Sequence, residues 1–234
     1  MKLFPALAVS FFFLGSWAQA EDPASIVEKA DAIRNPAESY RMEVEVVSSD
    51  RPEEPSRFEV SLMGSTRTLI VTLAPGRDKG RKLLMVDQDM WAYLPSVSRP
   101  VRVSMGQKLT GQTANGDLSR MRWAGDYQAV VEKEDATTWT LLLTATRKGL
   151  TYDKIRAQIA KKTYRPVTAE FLSLSGKTLK HARYGGWKTM AGAERPTEIE
   201  LRDALRVGDY SRLKILSMQP RSFSDAQFNP QGMR

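Results

Sequence analysis

From residue 38 to residue 217, hydrophobic and polar side chains alternate in short runs. The cleanest run is YRMEVEVV, residues 40–47, with Tyr40, Met42, Val44 and Val46 on one parity and Arg41, Glu43 and Glu45 on the other. Successive side chains of an extended chain point to opposite sides, so this pattern is a strand with one dry face and one wet face. The same reading predicts strands at 38–48, 56–63, 67–74, 82–87, 90–95, 100–104, 127–134, 137–145, 154–160, 166–174, 178–185, 196–203 and 209–217. Ahead of them, DPASIVEKADAIRN has Asp22 as an N-cap, Pro23 at the first helical position and Ile26, Val27, Ala30 and Ile33 on one stripe, which predicts a short helix ended by Asn35-Pro36.

Two stretches break the alternation. In residues 83–103, LLMVDQDMWAYLPSVSRPVRV, both faces are apolar: Leu83, Met85, Met90, Ala92 and Leu94 on one, Leu84, Val86, Trp91 and Tyr93 on the other. In TTWTLLLTA, Leu141, Leu142 and Leu143 follow in a row. Such strands are expected to be covered on both sides, one by core and the other by the helix, by a glycine-rich segment or by a bound apolar ligand. The glycine-rich segment is residues 105–126, with Gly106, Gly111, Gly116 and Gly125, no strand alternation and a short helix predicted in GDLSRMRW. It is expected to act as a gate. The tail, SFSDAQFNPQGMR, reads as irregular with one helical turn. So many short strands in meander order, with little helix, predict a mainly β protein: an antiparallel curled sheet forming an unclosed half-barrel, with helical and loop segments over an apolar cavity.

The first twenty residues carry Lys2, an apolar run from Leu3 to Leu14 and Ala18-Gln19-Ala20, the pattern of a secretory signal peptide cut after Ala20. The expected organisation is a signal peptide, 1–20, and a single domain, 21–234. The chain has 234 residues, a formal charge of +8 and no cysteine. That rules out disulfides, thiolate metal sites, a cysteine nucleophile and a lipidated cysteine. The expected location is the periplasm. The excess of cations suits an anionic partner, a lipid headgroup or membrane surface rather than nucleic acid in that compartment, or else a solubilising surface.

The leader, the amphipathic helix, the MWAYLPSVSRPVRV run, GDLS, KIRAQIAKKTYRPVTAEF and ERPTEIELRD, in that order, resemble the outer-membrane lipoprotein-sorting (LolA-like) family, in its branch of uncharacterised periplasmic proteins. The resemblance implies a half-barrel with helices plugging its mouth and a cavity for acyl chains of lipoproteins or other lipids. It implies a carrier that moves this cargo toward the outer membrane, with an inner-membrane transporter and an outer-membrane acceptor as partners. A non-catalytic docking subunit of an envelope lipid-export complex is the alternative.

The residues expected to line the cavity are Leu84, Val86, Trp91, Tyr93, Met105, Leu118, Met121, Trp123 and Leu142. Aromatic rings and methionines offer wide, adaptable apolar surface, although such stripes are more often core. Arg99, Arg102, Arg120 and Arg122 are expected to face a headgroup or the membrane. A Trp91→Ala variant that binds normally would move the wall to the Met85, Met90 and Leu94 parity. No cofactor, metal site or catalytic group is expected. His181, the one histidine, lies in LKHARY between Lys180 and Arg183, and the chain has no G-x-S-x-G elbow, H-E-x-x-H, P-loop or dinucleotide fingerprint.

Overall fold

A computed structural model describes residues 20–36, 38–96, 99–120 and 122–233. The leader, but for Ala20, and Met121 lie outside the described residues. Helix α1 (Pro23–Arg34) starts at Asp22, whose carboxylate accepts from the backbone N–H groups of Ala24 and Ser25. It turns Ile26, Val27 and Ala30 into the core. No helix among the described residues is long and apolar enough to cross a membrane.

A first meander follows: β1 (Tyr40–Ser48), β2 (Arg51–Met63), β3 (Arg67–Ala74), β4 (Lys82–Val86), β5 (Asp89–Tyr93) and β6 (Val101–Arg102). The glycine-rich segment comes next, with a small hairpin, β7 (Lys108–Thr110) and β8 (Thr113–Ala114), and helix α2 (Asn115–Ser119). A second meander closes the chain: β9 (Tyr127–Glu134), β10 (Thr138–Ala145), β11 (Lys154–Ala160), β12 (Pro166–Leu172), β13 (Thr178–Met190), β14 (Ala193–Asp203) and β15 (Tyr210–Pro220). All strands but β7 and β8 form one antiparallel sheet of thirteen, in the order β6-β5-β4-β3-β2-β1-β15-β14-β13-β12-β11-β10-β9. The β1–β15 pairing joins the two meanders at the centre. β6 and β9 stay unpaired edges, so the sheet does not close into a barrel.

Register carries one dry face across the sheet. Met42 and Val44 lie opposite Val60 and Phe58 on β2. These lie opposite Ile70 and Thr72 on β3. The face continues through Leu83 and Met85 on β4 to Ala92 and Met90 on β5. In the second meander it runs through Trp139, Leu141 and Leu143 to Ile159, Ala157 and Ile155. α1 and α2 both lie against this concave face.

The two-faced strands have two covers. On the concave side Met85, Met90 and Met105 form a buried cluster with Val103. On the convex side Leu84 is fully buried under the C-terminal tail, where Phe228 and Met233 pack with Phe223 against Met63, Leu69, Val86, Trp91 and Tyr93. The tail makes two short 3-10 turns, Asp225–Phe228 and Pro230–Gly232, and Arg67 binds Asp225 at 2.6 Å. The second cover is thus neither helix, glycine-rich segment nor ligand. Phe223, Phe228 and Met233 have no periodicity to advertise it. Leu142 also lies on the convex face, opposite Val130 on β9 and Arg156 on β11, where Val130 is half exposed.

Candidate functional site

The segment between β6 and β9 is a pinned plug. Gly111 has φ +50°, and a Cβ there would sit 2.4 Å from Ser211 Oγ and 2.5 Å from Ser48 Cβ. A Cβ on Gly116 would lie 1.7 Å from Thr151 Oγ1. Both glycines therefore permit a close approach of the backbone to its neighbours. Gln112 N–H donates to Ser211 Oγ at 2.8 Å, Thr68 Oγ1 to the Ser119 carbonyl at 2.7 Å, and Tyr152 OH to Asp117 at 2.8 Å. Lys180 reaches the Gln112 carbonyl and Tyr152 OH. Burial pushes the Tyr152 phenol well up, and the Asp117 charge adds to the rise, so it serves as a neutral donor.

Helix α1 is tied to the same plug. Asp31, buried and paired with Arg34, accepts from the N–H groups of Trp123 and Ala124 at 2.7 and 2.8 Å. The Arg34 guanidinium lies 3.7 Å above the Trp123 ring. Arg122 donates to the Pro36 carbonyl, and Arg195 to the carbonyls of Ala32 and Ile33 at the helix end. Between plug and second meander remains a cavity of about 60 Å³, lined by Asp117, Arg120, Trp123, Tyr152 and Phe171 among others. At about 30 Å³ per water it has room for two.

A larger opening lies over the other meander. A cleft of about 590 Å³ lies over the concave face of the first meander. Its floor is Phe58, Thr72, Leu83, Ala92, Leu94, Val101 and Val103, with Leu109 of the plug at its side. The 75–82 loop, the β1–β2 turn and the β7–β8 hairpin form its rim. Five cations line it, Arg51, Arg77, Arg81, Lys82 and Lys108, against Asp50, Glu54 and Asp78. Arg77 is neutralised by Glu54 at 2.6 Å and Arg81 by Asp78 at 2.8 Å. Asp50 is held below the usual carboxylate range, chiefly by the Ser48 hydroxyl, with Arg51 and Lys108 adding to the effect. An apolar floor under a cationic lip can hold an amphiphile with its chain inward.

The residues singled out in the sequence divide differently. Leu84, Val86, Trp91 and Tyr93 lie on the convex face under the tail, and of the expected wall Tyr93 alone, among the described residues, reaches the cleft at its lip. Met105 belongs to the methionine cluster, while Leu118 and Trp123 are core under the plug. Met121 is outside the described residues, and Leu142 is convex. The four arginines do not share a surface. Arg99 and Arg102 are exposed, Arg102 paired with Asp89 at 3.0 Å. Arg120 is turned inward onto Asp126 and the Asp87 carbonyl, and Arg122 onto Pro36. Sequence reasoning missed Phe58, Val103, Leu109, Arg51 and Lys108 as members of one site. Arg51 directly follows the polar Ser49-Asp50 turn, opposite Ser48, and nothing local marks it. The signal for the floor was the Leu83, Ala92 and Leu94 parity. His181 is exposed on the convex face. No group of three or more His, Asp or Glu side chains is placed to hold a metal ion among the described residues.

The fold matches known structures. A family model described as "Uncharacterized protein" matches residues 64–234. The crystal structure of a LolA superfamily protein from Nitrosomonas europaea is 35% identical, with a TM-score of 0.84 over 90% of this chain and 98% of that one. The chain belongs to the LolA superfamily. This LolA superfamily member shares its fold with an outer membrane lipoprotein-sorting protein domain from Vibrio parahaemolyticus (19% identity, TM-score 0.73, 90% of this chain and 97% of that one). A DUF1329 family protein from Desulfovibrio piger is similar to the same degree (18%, 0.73, 92% and 100%). No curated protein matches the chain.

Proposed function

We propose that the protein is a periplasmic carrier that holds an acyl chain of a lipoprotein or another lipid in the cleft and passes it toward the outer membrane. In this reading residues 1–20 are removed on export and residues 21–234 work as one domain. An inner-membrane transporter loads the carrier and an outer-membrane acceptor unloads it. Exposed cations such as Arg99 and Arg102 favour transient contact with an anionic membrane surface.

The observation that carries the reading is the cleft: about 590 Å³ with an apolar floor, within the range of about 300–1,000 Å³ usual for small-molecule sites. The cavity under the plug is a tenth of that and takes no chain. Membership of the LolA superfamily supports the same reading, as does the Vibrio neighbour, which is named for lipoprotein sorting.

Native mass spectrometry with lipid extraction, on protein purified from the periplasm, tests it. Co-purifying acyl lipid is expected. Ala92 points into open space on the floor, so Ala92→Trp fills the cleft without overpacking the core, and bound lipid should disappear while the fold stands. Uptake of a fluorescent fatty acid unchanged by Ala92→Trp would remove the cleft from the mechanism. An empty cleft with a stably bound membrane protein would instead support the docking-subunit alternative.

A further inference from the structure

We infer that the cleft takes one acyl chain at a time, from an amphiphile whose head is an oxyanion seated between Arg51 and Lys108. This rests on the reading of the cleft as a lipid site and adds the class of cargo. Chain count follows from volume. The cleft, about 590 Å³, lies mid-range among sites that hold a single small ligand, about 300–1,000 Å³. That suits one long chain; a diacyl lipid or a triacylated lipopeptide carries two or three.

The head follows from charge. Arg77 and Arg81 spend their charge on Glu54 and Asp78 at the rim. Arg51 and Lys108 are exposed and make no side-chain hydrogen bond or ion pair among the described residues. Both lie at the Ser48 end of the opening. Arg51 lies opposite Ser48 at the β1–β2 turn, and Lys108 begins the plug hairpin that Gly111 seats against Ser48 and Ser211. One acid, Asp50, feels both of them. An arginine fork and a lysine ammonium at one end of the opening match a carboxylate or a phosphate monoanion. Either head, that of a fatty acid or of a lysophospholipid, has this chemistry.

The test is direct binding to the whole mature chain, below the micelle-forming concentration of each probe. The probes are palmitate, palmitoyl-lysophosphatidylglycerol, uncharged monopalmitoylglycerol, dipalmitoyl-phosphatidylglycerol and a triacylated lipopeptide. The two anionic single-chain probes should bind one per protein and at least tenfold tighter than monopalmitoylglycerol. That advantage should shrink with added salt and fall below threefold in the Arg51→Gln/Lys108→Gln variant, whose changes are on exposed side chains. The tighter of palmitate and the lysolipid identifies the source of the head. Equal affinity for neutral and anionic chains, lost in Ala92→Trp, would overturn this inference and leave the lipid cleft standing. Tighter one-to-one binding of the two-chain or three-chain probe would overturn the chain count. No binding of any probe would overturn both readings.

Discussion

Replacing Asp31 by alanine should loosen helix α1 and the plug together. The Asp31 carboxylate is 1% exposed and serves three groups: the Arg34 guanidinium, itself 6% exposed, and the N–H groups of Trp123 and Ala124. Removing one partner of a buried ion pair costs about 3–5 kcal/mol, and each buried N–H left without an acceptor about 1–3 kcal/mol. The three losses share one space that water can enter, so they do not sum; we expect about 4–6 kcal/mol for Asp31→Ala. Asp31→Asn keeps an oxygen for the two backbone donors but loses the charge and sets an amide NH2 against the Arg34 guanidinium, so it should cost less than Asp31→Ala while still stranding the cation. Arg34→Met in the Asp31→Asn background removes the stranded cation and should recover part of the loss, because an apolar replacement of a buried pair is often neutral. Equilibrium urea unfolding gives the three free energies, and amide hydrogen exchange at residues 122–124 reports the local effect. A cost below 1 kcal/mol for Asp31→Ala, with exchange at 122–124 unchanged, would refute the tether.

Three further outcomes are expected. Gly116→Ala, whose Cβ would lie 1.7 Å from Thr151 Oγ1, should destabilise by about 1–3 kcal/mol and be rescued by Thr151→Gly; a melting series of the two singles and the double checks it. Leu84→Ala, at a fully buried position under the tail, should cost about 2–5 kcal/mol in the full chain and much less once residues 222–234 are deleted, and it should leave probe uptake by the cleft intact. Glu200 lies between Arg202 at 2.6 Å and Arg212 at 3.0 Å, and Arg202 above all holds its carboxyl below the ordinary 4.5. Because the folded value is depressed, the stabilisation is full above 4.5 and is lost as pH falls through the folded value; urea midpoints of Glu200→Gln should therefore fall less steeply on acidification than those of the parent.

The strand plan was legible because alternation is local. β3 and β9 through β11 end within a residue of where the pattern puts them, and α1 starts at its predicted cap. The first half of β2 was hidden by Pro52 and Pro55, which sit where the strand is exposed and so do not disturb the buried part of the ladder. The cavity wall was another matter. In residues 83–95 both parities are apolar, so the choice of concave side depends on register carried over from β1. On β1, β2 and β3 the concave residues keep even numbers (Met42, Val44; Phe58, Val60; Ile70, Thr72), but on β4 they are odd (Leu83, Met85). The change falls in the 75–81 connection between β3 and β4, where there is no strand alternation to count. Trp91 and Tyr93 drew attention as large aromatics. They are large because they pack beneath Phe223, Phe228 and Met233, whose contribution is set by tertiary structure alone.

Side-chain size explains why the cleft opens over the first meander and not the second. The second meander fills its concave face with rings: Trp139 stacks on Tyr164 at 5.7 Å, Tyr152 on Phe171 at 4.1 Å, and Tyr184 meets Trp123 edge-on at 6.4 Å. Helix α1 lies on that side, against β9 and β14. Over the first meander the concave positions beside Phe58, Leu83 and Leu94 are Ser56, Thr72, Ala92, Val101 and Val103, with no pair of stacked rings among the described residues, and α2, at five residues, is too short to span them. A packed interior leaves few voids wider than a water molecule, so a 590 Å³ opening at the sheet's small-residue end reflects the choice of residues and not slack packing. The plug adds the final constraint. Gly111 lets its hairpin touch Ser48 and Ser211 at one end of the cleft, and Asn115 holds the Ser104 carbonyl at 2.9 Å at the other. These two contacts set where the plug stands beside the cleft, and Gly111→Ala, which forces the hairpin off Ser48 and Ser211, should change the affinity of the cleft for an acyl probe more than it changes the melting temperature.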